Sequence, residues 1–109
     1  MTNGFESLNA ALAEHLETYQ AISYSQLAKR LDSPDPNDRF DVSEGTTPDG
    51  ASYTIETNVV WDDPRKKLDI RVMADLSSGK RGCLFGFLPI FVSDAAGYFV
   101  ITPDGAILA

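Results

Sequence analysis

Apolar and polar positions alternate most regularly between Ser52 and Leu76. In Ser52–Trp61 the large side chains fall on odd positions: Tyr53, Ile55, Val59 and Trp61. After a break at Asp62-Asp63-Pro64-Arg65 they fall on even positions: Leu68, Ile70, Val72, Ala74 and Leu76. Successive side chains along a strand point to opposite faces, so each run predicts a strand with one apolar and one polar face. Thr54, Glu56, Asn58, Asp69, Arg71 and Asp75 make up the polar face. The apolar faces coincide only if odd positions of the first strand oppose even positions of the second. A four-residue loop, Asp62–Arg65, meets that rule and is preferred to a six-residue one, which meets it too but puts Glu56 opposite Met73. The shorter loop sets Val59 against Leu68, Ile55 against Val72 and Glu56 against Arg71, the last an oppositely charged pair.

Upstream the period changes. Phe5, Leu8, Leu12, Leu16 and Tyr19 recur at spacings of three and four, which predicts an amphipathic helix over residues 3–20 with Ala11 beside the stripe. Asn3 is placed to cap it, and Glu6 sits in the first turn, where negative charge suits the helix dipole. Ser23-Tyr24-Ser25-Gln26 has capping-box spacing, and Ile22 and Leu27 have that of a hydrophobic staple. A second helix follows, burying Tyr24, Leu27, Ala28 and Leu31, with Lys29 and Arg30 in its last turn. Ser-Gln-Leu-Ala-Lys-Arg-Leu, residues 25–31, resembles the first helix of helix-turn-helix DNA-binding domains. An acidic, turn-rich linker, Asp32–Asp38, stands where a recognition helix would have to follow, so DNA binding is not expected.

Phe40–Val42 predicts a short strand. Thr47-Pro48-Asp49-Gly50 recurs word for word as Thr102-Pro103-Asp104-Gly105. Both predict hairpin turns, with Pro setting φ, Asp tolerant of the next position and Gly free to take positive φ. Ser77–Gly82 reads as a flexible basic connection. In Cys83–Val92 both parities are apolar, which predicts either a strand buried on both faces or two short elements broken at Pro89. Asp94–Gly97 reads as a turn, Tyr98–Thr102 as a strand and Ala106–Leu108 as a short returning one. The order is two helices and then four or five antiparallel strands, without βαβ alternation. It predicts a single α+β domain over residues 1–109: two N-terminal helices packed on one face of a four- to five-stranded meander sheet, in two layers.

Composition places the chain among ordinary globular domains, at 109 residues and 43% hydrophobic. No run of apolar residues is long enough for a membrane span, and the N-terminal residues lack the pattern of a secretory signal. The lone cysteine, Cys83, fits a small buried hydrophobe in a reducing compartment. A cytoplasmic protein is expected. The net charge of −7 is unevenly spread. Residues 32–63 hold nine acids and one Arg, a net of −8, whereas residues 65–81 hold six bases and two acids, a net of +4. Overall acidity argues against nucleic acid or an anionic membrane as partner.

The chemistry-bearing residues do not assemble into a known signature. His15, the only histidine, falls at the edge of the first helix stripe and reads as a packing or surface residue. Asp32, Asp35 and Asp38 lack the ligand order of a calcium loop and read as a solvated turn. Neither a catalytic set, a cofactor nor a metal is expected. The leading expectation is therefore a non-enzymatic protein–protein interaction domain. Its surface would draw on Phe85, Phe87 and Phe91, which need cover from the chain, a second copy or another protein, together with Glu56, Asp62, Asp63, Asp69 and Arg71. Small acidic inhibitor and immunity proteins that neutralise basic toxins share this profile, although no residue pattern here identifies that family. An accessory domain that pairs with itself is a further option. The alternative is a small-ligand or catalytic pocket between helix and sheet, lined by His15, Tyr19, Tyr53 and Trp61.

Overall fold

A computed structural model describes residues 4–78, 81–84, 88–91 and 95–108, with side chains placed over 7–78 and 95–108. The alternating pattern at its centre is realised as β2 (Ser52–Trp61) and β3 (Ile70–Ser77), an antiparallel pair. Ile55, Val59, Ile70, Val72, Ala74 and Leu76 all lie on one face and are buried. β1 (Phe40–Thr46) pairs with the other edge of β2 and runs four residues beyond the predicted Phe40–Val42. On the far side β3 pairs with β6 (Ala95–Ile101), which pairs with β7 (Ile107–Leu108). The sheet is thus a five-stranded antiparallel meander, β1-β2-β3-β6-β7. A separate two-stranded ribbon, β4 (Arg81–Leu84) with β5 (Leu88–Phe91), is inserted between β3 and β6.

Both helices contact the sheet, α1 (Gly4–Gln20) over β3 and β6 and α2 (Tyr24–Asp32) over β2 and β3. The architecture is the expected two-layer α+β arrangement. Ser23 caps α2 as its sequence predicts. Its hydroxyl accepts from the Gln26 N–H at 3.2 Å, and its own N–H donates to the Gln26 side chain at 3.4 Å. Burial of Leu27 and Leu31 joins α2 to Tyr19, Val59, Ile70, Val72, Phe99 and Ile101 in one core cluster. Leu8 and Leu12 of α1 meet Ile55, Ala74 and Leu76 in a second. The seat of α1 is a row of small residues running straight across the sheet, Thr57 opposite Ala74 opposite Gly97. A Cβ on Gly97 would stand 2.9 Å from Leu16 Cδ1, so this glycine lets the helix approach.

The hairpin register differs from expectation. Residues 62–69 form an eight-residue loop, and β2 meets β3 four residues further along: Val59 opposite Val72, Ile55 opposite Leu76 and Glu56 opposite Asp75. Parity is kept, so the inward faces are unchanged. The longer loop is held by contacts that a strand pattern does not reveal. The Asp63 side chain accepts from the Arg65 N–H and its carbonyl from the Lys67 N–H, both at 2.9 Å, while Lys67 takes a φ of 50°. The Asp62 N–H closes the loop onto the Asp69 carbonyl at 2.9 Å. The Tyr24 hydroxyl reaches across from α2 to the Leu68 carbonyl at 2.5 Å. Leu68 is therefore an exposed loop residue and not part of the apolar face.

Two further expectations need correction. Ala95–Gly97 belong to β6, where Gly97 serves helix packing and not a turn. Of the two alternatives for Cys83–Val92 the two short elements are observed, β4 and β5, but Pro89 lies within β5, opposite Cys83, and does not mark the break between them. A two-stranded ribbon has no central strand, so a missing N–H is tolerated there. By contrast, both Thr-Pro-Asp-Gly segments turn hairpins, β1–β2 and β6–β7, through the same bonds. Each Thr hydroxyl donates to the Asp carboxylate, each Ala N–H (51 and 106) donates back to that hydroxyl, and Gly50 and Gly105 take φ of 91° and 88°.

Candidate functional site

With both helices on one side, the other face of the sheet carries the even positions of β1, β2 and β6 and the odd positions of β3. Cross-strand registers set its rows. One runs Phe40–Asn58–Met73–Tyr98, the next Val42–Glu56–Asp75–Ala96, and a third Val60–Arg71–Val100–Leu108. Val42, Tyr98 and Leu108 are each more than half exposed, and Phe40 is exposed as well. Glu56 and Asp75 are exposed and directly opposed, and neither has an ion-pair partner among the described residues. Like charges in directly opposed positions destabilise a sheet. Arg71, which the shorter loop would have set against Glu56, is engaged elsewhere. Its guanidinium bonds to Asp62 at 2.7 and 2.9 Å and stacks over Tyr98 at 4.9 Å from the ring centroid.

Of the expected interaction residues, Glu56 and Arg71 are thus together on the outer face, with Asp62 tied to Arg71. Asp63 and Asp69 serve the loop between β2 and β3. Phe85 and Phe87 lie outside the described residues, as does the Phe91 side chain. Asp75, Val42, Phe40 and Tyr98 join the surface through tertiary pairing. Asp75 opposes Glu56 only because of the eight-residue loop, and Val42 and Phe40 gain their neighbours from the full length of β1.

A groove lies on the helix side, between α1 and the β1–β2 hairpin. One part has a volume of ≈ 260 Å³, with His15, Thr18 and Glu14 on the helix wall, Ser43 and Glu44 on β1, and Tyr53 and Ile55 at its floor. It adjoins a second of ≈ 410 Å³ that shares Ala11, Glu14 and Tyr53 and ends at Thr47 and Pro48. His15 is half-buried, its Nε2 hydrogen-bonded to the buried Thr57 hydroxyl at 2.7 Å. Burial holds its imidazole below the ordinary histidine range, against the opposing pull of the Asp41 carboxylate. Tyr19 stacks on His15 at a tilted 5.3 Å and donates its hydroxyl to Asp41, which also faces Arg30 at 3.8 Å. Burial first, then the bond to Asp41, raises the Tyr19 hydroxyl pKa. His15 and Tyr53 of the expected pocket therefore line one groove. Tyr19 lies buried beside it, and Trp61 packs against the core cluster that contains Tyr19 and Leu27.

Asp35 and Asp38 use their carboxylates in the turn that leads to β1, accepting from the Asn37 N–H and the Ser33 hydroxyl. Among the described residues no three of His, Cys, Asp and Glu are grouped to hold a metal ion. No described helix is long and apolar enough to cross a membrane. No protein-family model, curated protein or solved structure matches this chain.

Proposed function

We propose that this chain is a non-enzymatic, cytoplasmic interaction domain that receives a basic protein partner on the outer face of its sheet. The observation that carries the reading is the Glu56–Asp75 pair. Two carboxylates held opposite one another cost stability in the free chain, and a cation from a partner removes that cost. The exposed apolar side chains of Phe40, Val42 and Tyr98 lie beside the pair and supply area that a partner can bury. The acidity of the whole chain steers basic partners toward it.

The test is capture of basic proteins from a lysate at low salt by the immobilised full chain, beside a Glu56→Lys, Asp75→Lys double variant. Proteins retained by the parent chain and lost from the variant support the reading. Identical capture by both removes its basis. A second reading, a small-ligand site, draws on the groove in which His15 and Tyr53 meet. Thermal-shift screening with small cationic and neutral ligands separates the two, since a bound ligand raises Tm by mass action.

A further inference from the structure

We infer that the free edge of β1 is a docking site for an extended, basic segment of a partner, which adds to the sheet as a further strand. The inference rests on the interaction role proposed above and names where and in what conformation the partner is held. β1 is the terminal strand, and among the described residues no strand pairs with its outer edge.

Which backbone groups lie there follows from the turn. The Thr47 N–H donates to the Ala51 carbonyl at 2.8 Å, so that pair is hydrogen-bonded. Antiparallel pairs alternate between bonded and non-bonded. Given the observed register, Gly45, Ser43 and Asp41 bond to β2, while Thr46, Glu44 and Val42 direct their N–H and C=O groups away from it. Three successive outward positions form a template for strand addition.

The side chains along this edge state the chemistry of the occupant. Glu44 and Val42 belong to the outer face, and Asp41 and Ser43 to the helix side. A partner side chain placed beside Ser43 enters the ≈ 260 Å³ groove, which Glu14 of α1 and Tyr53 line. The Glu14 carboxylate beside the Tyr53 ring fits a lysine or arginine side chain. Partner positions on the opposite parity meet Glu44 and the apolar Val42, which again selects a cation and an aliphatic residue. A second copy of this chain fits poorly, because pairing β1 with β1 would bring two sets of Asp41 and Glu44 together.

The test uses the isotope-labelled full chain titrated with a short capped peptide alternating lysine and valine, with a glutamate–valine peptide as control. The expected result is amide shifts concentrated at Val42, Glu44 and Thr46 with the lysine peptide only. Val42→Pro deletes one outward N–H while leaving the β1–β2 ladder intact, since proline is tolerated on such an edge. It is expected to weaken the peptide about tenfold or more. Glu14→Gln with Glu44→Gln, which keeps every backbone donor, is expected to weaken it comparably and to serve if the proline variant does not fold. Shifts confined to Glu56, Asp75 and their neighbours overturn strand addition while leaving the interaction role standing. Absence of any shift at millimolar peptide overturns both. Concentration-dependent dimerisation that protects the β1 amides assigns the edge to self-association and overturns the basic occupant.

Discussion

Replacing Asp75 with lysine should stabilise the protein, although it alters only an exposed side chain. Directly opposed side chains on one sheet face have Cβ atoms about 4.5–5.5 Å apart, well within the Debye length of about 8 Å at physiological ionic strength. The repulsion between Glu56 and Asp75 therefore survives in ordinary buffer. Asp75→Lys removes an unfavourable pair and creates a favourable one, each worth about 0.2–1 kcal/mol, for a net gain of about 0.4–2 kcal/mol. Both positions are exposed, so the lower half of that range is expected. Urea is the denaturant of choice because guanidinium would screen the effect. With an m-value of about 2 kcal/mol/M, a gain of about 1 kcal/mol moves the midpoint by about 0.5 M. The gain should shrink in 1 M NaCl, where the Debye length is about 3 Å. Glu56→Lys discriminates between registers. It stabilises if position 56 faces Asp75, and destabilises if it faces Arg71, as a four-residue loop would require. The double variant restores like charges and should fall back toward the parent. A lower midpoint for Glu56→Lys, or additive gains in the double variant, would mean that Glu56 and Asp75 do not face one another.

Other perturbations test the fold and the groove. Leu27→Ala, at a fully buried position, should cost about 2–5 kcal/mol and lower Tm by roughly 8–20 °C in calorimetry; a loss under about 1 kcal/mol would mean α2 is not packed as described. Gly97→Val should cost about 1–3 kcal/mol by pushing Leu16 and α1 off the sheet, measured by urea unfolding; a neutral result would contradict the close approach. The folded His15 pKa lies below its reference of 6.5, so the folded state binds fewer protons there. Its contribution to stability is complete above about pH 6.5 and declines as pH falls from there through the lowered folded value. His15→Gln should flatten that part of the stability–pH curve, and an unchanged slope would mean that the half-buried imidazole does not set it. Tyr19→Phe should cost about 1 kcal/mol through loss of the hydroxyl bonded to Asp41, detectable by chemical denaturation.

Much of the architecture was legible along the chain because it is written in local chemistry. The bounds of β2, the Ser23 cap, the inward residues of β3 and both Thr-Pro-Asp-Gly turns depend on neighbours within a few positions: side-chain parity, a hydroxyl three residues from an amide, a glycine free to take positive φ. Register depends on distant residues. Parity admits loops of four, six or eight residues equally well. The choice fell to the Asp63-centred loop, to Tyr24 bonding Leu68 from another element, and to a row of small side chains on which α1 could rest. The opposed Glu56 and Asp75, the free edge of β1 and the groove at His15 exist only once that choice is made. Separation along a chain carries no information about separation in space, so these surfaces belong to the tertiary structure alone.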